Sequence, residues 1–116
     1  MHVNKRGKDQ MVKLQTHNDS IIDINGTCLQ GYVDASAEDL VEQFGAPMIG
    51  DSRDKVEYEW NIMIGDQPIS IYSWKNYGEK EFEQIDSWHV GGRSHEAIDL
   101  LNEATDLRSR ARMSSW

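Results

Sequence analysis

Apolar and polar residues alternate most clearly between Val56 and Trp74. Val56, Tyr58, Trp60, Ile62 and Ile64 fall on one side of an extended chain, and Glu57, Glu59, Asn61 and Met63 fall on the other. A period of two marks a β-strand. After the turn residues Gly65 to Pro68, Ile69 and Ile71 share one face, and Ser70, Tyr72 and Trp74 share the opposite one. The two runs predict a hairpin with an apolar side for helices and an aromatic, polar side turned away from them.

The same reading extends in both directions. Asn25-Gly26 between IIDI and TCLQGYV predicts a two-residue hairpin joining strands over about 21–24 and 27–33, because such a turn needs positive φ at both positions. Gly31 within the second run predicts a bulge or the close approach of another backbone. Ser36 before AEDLVEQF, acids in the first turn and Gly45 after the last residue predict a helix over 37–44, with Leu40, Val41 and Phe44 as its apolar stripe. The segment from Lys75 to Gln84 is acidic and turn-like, which predicts an exposed loop. IDSWHV then predicts a strand, with Ile85, Ser87 and His89 on one face and Asp86, Trp88 and Val90 on the other. Gly91-Gly92-Arg93-Ser94 ends it, and Ser94 caps a helix of at least 95–104 that turns Ala97, Ile98 and Leu101 inward.

The resulting order is β-β-α-β-β-β-α, without the alternation that produces parallel sheets. It predicts an α+β fold: an antiparallel sheet of four to five strands, two helices packed on one face, and the other face largely bare. Residues 1–20 predict a flexible basic tail with at most a brief strand at its end. Residues 21–107 form the single domain, and 108–116 a basic C-terminal tail.

Charge changes the picture more than composition does. The 116 residues carry a net charge of −8, and residues 34–107 hold 17 acids against Arg53, Lys55, Lys75, Lys80 and Arg93, for −12. Such a surface repels nucleic-acid phosphates, so the acidic core is not expected to bind DNA or RNA directly. No run of about 18 apolar residues predicts a membrane span. MHVNKRGKDQ lacks the apolar stretch of a secretory signal, which together with a single cysteine, Cys28, suggests a cytoplasmic setting.

Several blocks carry a resemblance. NGTCLQGY (25–32), DLVEQFGAP (39–47), KVEYEW (55–60), SIYSWK (70–75) and WHVGG (88–92) resemble a family of small uncharacterised proteins of tailed bacteriophages. The usual family pattern is close to NGTSLQGY, FGxP, KxDxEW, IYNWK and WHIGG, with Cys28, Glu57 and Ser73 as departures here. The resemblance spans roughly residues 25–104 and implies a phage-encoded accessory protein in the host cytoplasm; it implies no activity.

Two function classes follow. In the first, a phage protein inhibits or modulates a host protein, a transcription or antiviral-defence factor, with Tyr72, Trp74 and Trp88 as anchors and the acidic surface as electrostatic complement. In the second, a nucleotide-type or phosphate-bearing small molecule sits at a corner formed by Lys75, Gly91, Gly92 and Arg93. There the glycines permit close backbone approach, the helix start favours an anion, and Trp74 or Trp88 stacks on a base. His89 lies in the same segment and completes the candidate set. No residue pattern calls for a metal, a cofactor or catalysis: His89 and His95 lack a supporting ligand pair, and no nucleophile stands beside a base.

Overall fold

The computed structural model describes residues 2–6 and 10–112, with side chains from 13 to 112. It is α+β. In chain order the elements are β1 (His2–Arg6), β2 (Gln10–Thr16), β3 (Cys28–Asp34), α1 (Ala37–Phe44), β4 (Met48–Ile49), β5 (Tyr58–Ile64), β6 (Gln67–Tyr72), a 3-10 turn at Phe82–Gln84, β7 (Ser87–Gly92), α2 (Glu96–Ala104) and β8 (Arg108–Ala111). Seven strands run in the order β1-β2-β5-β6-β7-β3-β8, every neighbouring pair antiparallel, and β4 adds a short eighth against β5.

Both helices do pack on one face. Leu40 and Phe44 of α1 and Ala97, Ile98 and Leu101 of α2 share a buried cluster with Val33, Trp60, Ile62, Ile69, Ile71, Trp88 and Val90. The sheet curls about α2, which touches strands from β1 at one edge to β8 at the other. The ends of α1 follow the expected chemistry. Ser36 accepts the Asp39 N–H, and Gly45 takes φ 84° at the C-terminus. Asn18 then donates to the carbonyls of Phe44 and Ala46, and the Trp60 indole donates to that of Gly45 at 2.8 Å. Val41, expected in the apolar stripe, is exposed, and Ala37 is buried instead. Among the described residues, no helix is long and apolar enough to cross a membrane.

Several expectations are corrected. The Asn25-Gly26 turn exists, with Thr27 donating to the Ile24 carbonyl and Gly26 at φ 85°, but no strand precedes it. A hairpin partner would find no room, because β7 and β8 occupy both edges of β3. The segments read as tails supply strands. β2 pairs with β5 and buries Leu14 and Thr16, and Arg108–Ala111 pairs with β3. Residues 1, 7–9 and 113–116 of those tails lie outside the described residues. The acidic loop after Trp74 is not wholly exposed: Phe82 packs against Tyr58, Trp60 and Trp88. Gly91 and Gly92 continue β7 instead of ending it. A Cβ at Gly92 would collide with that of Ala97, so the bare backbone there seats α2.

The expected bulge at Gly31 is present as a register shift between Leu29 and Gly31, where the β8 backbone and Ile98 leave no space for a side chain. A further difference concerns the face opposite the helices. The connection from β2 to β3, residues 17–27, must pass β5, β6 and β7, and it does so across that face. Ser70 points away from the core and is still only 4% exposed, and Ile24 and Thr27 line a cavity with it. The face is half strapped and half open.

Candidate partner-binding face

Register builds the open half. Arg110, Tyr32, His89, Tyr72 and Glu59 stand level with one another across β8, β3, β7, β6 and β5. Each has at least one buried neighbour along its strand, so all five side chains leave the sheet on the side away from the helices. Directly paired side chains in an antiparallel sheet are close enough to interact, and here they form a continuous row. The Arg110 guanidinium lies 4.9 Å from the Tyr32 ring centre and also pairs with Asp34 at 3.2 Å. Tyr32 meets His89 edge-on at 5.1 Å, and Tyr72 meets His89 at 5.5 Å. Trp74, just past the end of β6, stacks on His89 at 5.7 Å and 24° and is 42% exposed. Lys75 sits at φ 54° with its Nζ 5.8 Å from the Trp74 ring. The row is therefore aromatic in the middle, with Arg110 at one end, Glu59 at the other and Lys75 beside Trp74.

Burial sets its ionisation. It lowers His89 below the ordinary value for histidine, so the imidazole is neutral at pH 7 and stacks as an uncharged ring. Burial raises the Glu59 carboxyl, an effect that a hydrogen bond from Asn61 partly offsets. Burial, followed by the nearby Glu59 charge, raises the Tyr72 phenol, which stays protonated. Glu57, also buried, works differently. It accepts from the Asn76 side chain at 3.0 Å and from the Gly78 N–H, and so braces the loop that carries Trp74 and Lys75.

Of the residues expected from sequence, Tyr72, Trp74 and His89 converge, with Lys75 at the rim and Gly91 in the floor of the adjoining cavity. Trp88 does not join them. It is fully buried in the core, edge-on to Trp60 at 5.2 Å, with its indole N–H donating to the Ala35 carbonyl. Gly92 faces α2. Arg93 is exposed at the far end of β7. Tyr72 is level with His89 and Ile69 with Gly92, so Lys75 and Arg93 lie beyond opposite ends of the strand pair. At about 3.3 Å per residue they are roughly 20 Å apart, and the expected Lys75/Gly91-Arg93 corner is not assembled. Tyr32, Glu59 and Arg110 were not foreseen. Alternation around Val33 already assigns Tyr32 to a face, but Arg110 belongs to a strand with no apolar pattern.

No family model matches the chain, and neither a curated protein nor a solved structure matches it.

Proposed function

We propose that this chain is a small phage-encoded binding protein that engages a host protein, a transcription or antiviral-defence factor, and inhibits or modulates it. The observation that carries this reading is the continuous row of Tyr32, His89, Tyr72 and Trp74 on the sheet face that the helices leave alone. Aromatic side chains with a polar edge are the residues that most often anchor protein interfaces, and Arg110 and Lys75 supply the charged rim. The acidic surface of residues 34–107 favours a partner with a basic face. The resemblance to tailed-phage proteins is the reason for seeking that partner in a bacterial host.

The test is capture from host lysate with the wild-type chain and with a Tyr32→Ala/Trp74→Ala variant. A stoichiometric host protein is expected with the wild type. The variant should lose it, since anchors of this kind each contribute about 2 kcal/mol or more. Recovery of no stoichiometric partner, or equal recovery by both forms, overturns the reading. A nucleotide-type ligand at Lys75 and Arg93 is less favoured, because the two cations lie beyond opposite ends of the strand pair.

A further inference from the structure

Beside the aromatic row, between the strap of residues 17–27 and Trp74, lies a cavity of about 250 Å³. Its walls are Ile24, Val56, Tyr72 and Trp74, its floor is Ser70 and Gly91, and Glu59 stands at its side. That volume is below the range of about 300–1,000 Å³ typical of sites for whole small molecules. It suits one side chain or one small organic group. The floor is open because Gly91 lacks a side chain; a Cβ there would lie 2.5 Å from the Ser70 hydroxyl.

The Glu59 carboxylate is half-buried, and no cation among the described residues pairs with it. Asn61, level with Ser70 on the same face but not part of the cavity lining, gives that carboxylate a side-chain hydrogen bond and no charge. A carboxylate is an acceptor and carries negative charge, so a complementary group brings donors and positive charge. An anion is repelled by Glu59, and a neutral apolar group leaves its charge uncompensated. The two cations beside the aromatic row are engaged elsewhere. Arg110 is held by Asp34 and Tyr32, and Lys75 lies on the other side of Trp74, lining a second cavity.

We propose that this cavity seats the guanidinium of an arginine from the partner protein, beside the rings of Trp74 and Tyr72 that line it and against the Glu59 carboxylate. The assignment rests on the partner-binding reading above and names the chemistry of its anchor. Guanidinium is the best match because it has five donors and no acceptor, stacks on aromatic faces, and gives up its hydration more readily than an ammonium group. The charge of the surrounding surface draws the same kind of partner.

An NMR titration that needs no partner tests the seat. Butylguanidinium is expected to bind saturably, with shifts concentrated at the Trp74 indole N–H, Ser70 and Gly91. Neutral butylurea should bind at least ten-fold more weakly. Glu59→Gln should reduce that preference to under two-fold in a chain whose spectrum remains dispersed, and Trp74→Ala should weaken the cation without altering the dispersion. A short neutral peptide with one central arginine should bind more tightly than butylguanidinium and more tightly than its lysine or citrulline analogue. Equal binding of cation and urea, or a preference that survives Glu59→Gln, overturns the proposal. Peptide binding no tighter than butylguanidinium assigns the cavity to a free small cation and also overturns it. If butylguanidinium fails to bind while lysate capture behaves as expected, the seat falls and the binding face stands. If the cation binds but no host protein is captured, the partner reading falls, and with it the arginine assignment.

Discussion

Trp74 and Trp88 put the same side chain to opposite uses. Trp88 fills the core against Trp60 and Phe82, whereas Trp74 stands at the open face with only its stacking partners beneath it. Trp88→Ala is therefore expected to lose about 3–5 kcal/mol of stability, the cost of a large buried aromatic. Trp74→Ala should lose no more than about 1 kcal/mol, as expected of a partly exposed position. Urea denaturation of both variants checks the contrast, and a reversed order would mean the two faces have been exchanged. Sequence alternation separates Trp88 from His89 but cannot say which of them faces the core, since the run offers an aromatic ring on either side. The deciding fact is long-range: His89 pairs with Tyr72, whose face is already fixed by Ile69 and Ile71.

Glu59 gives a second prediction at this scale. Its carboxyl is raised above the ordinary 4.5, so the folded chain favours the protonated form and ionisation opposes folding. Stability from the protonated group is complete below 4.5 and is lost as pH rises through the higher folded value. Glu59→Gln should accordingly stabilise the chain at neutral pH, by no more than about 1 kcal/mol given the group's partial exposure. The gain should vanish below 4.5. Thermal melts of both forms across that window measure it; a gain that persists at the acid end would trace to packing, not charge.

At the scale of elements, legibility tracked how an element is stabilised. α1 and β5–β6 are held by apolar residues at regular spacing and by local caps, all of which the sequence displays. β8 is held by polar chemistry. Its one inward residue, Ser109, is a buried hydroxyl. Asn102 on α2 accepts from the Ser109 N–H at 2.8 Å and its hydroxyl at 2.7 Å, and donates to its carbonyl at 3.0 Å. RSRA read alone is a solvated basic stretch; it is a strand through its pairing with β3, and the Asn102 side chain, seven residues earlier, holds its inward residue. Asn102→Ala should destabilise the chain by about 2–3 kcal/mol, at about 1 kcal/mol for each net hydrogen bond. It should also release amide protection at the β3–β8 ladder before the rest of the sheet. Uniform loss of protection in hydrogen exchange would show that β8 is no separate unit.

The same distinction explains the segments 17–27 and 75–84. Asn18 and His17 fasten the first to α1 and β5 through side-chain hydrogen bonds, including His17 to the Ala46 carbonyl at 2.9 Å. Glu57 and Asn76 organise the second. Neither set of contacts has a periodic signature. The first supplies Ile24 and Thr27 to the cavity and the second carries Lys75 at its rim, so these contributions were the least visible in the sequence, whereas Val56, Tyr72 and Trp74 belong to its clearest alternation.

For the whole molecule, the sheet separates two surfaces. One side holds the helices and the apolar core; the other presents the strap, the cavity and the aromatic row in sequence from β5 to β8. The basic C-terminal strand belongs to this second surface and sets Arg110 against Asp34, which brings positive charge to one edge of the acidic body formed by residues 34–107.

The strap has a further consequence, for the order in which the chain acquires its structure. β3 leaves the ribosome early but takes its place between β7 and β8, among the last strands to be made. β2 likewise waits for β5, with the strap, β3 and α1 intervening. The first hairpin can form alone, but the strap has nothing to lie on until β5, β6 and β7 have paired beneath it. Closure of such long loops comes before the contacts that reward it, which puts folding toward the slow, millisecond-to-second end of small domains. The cavity under the strap is thus among the last features to appear, and only a finished chain can offer a partner its binding face.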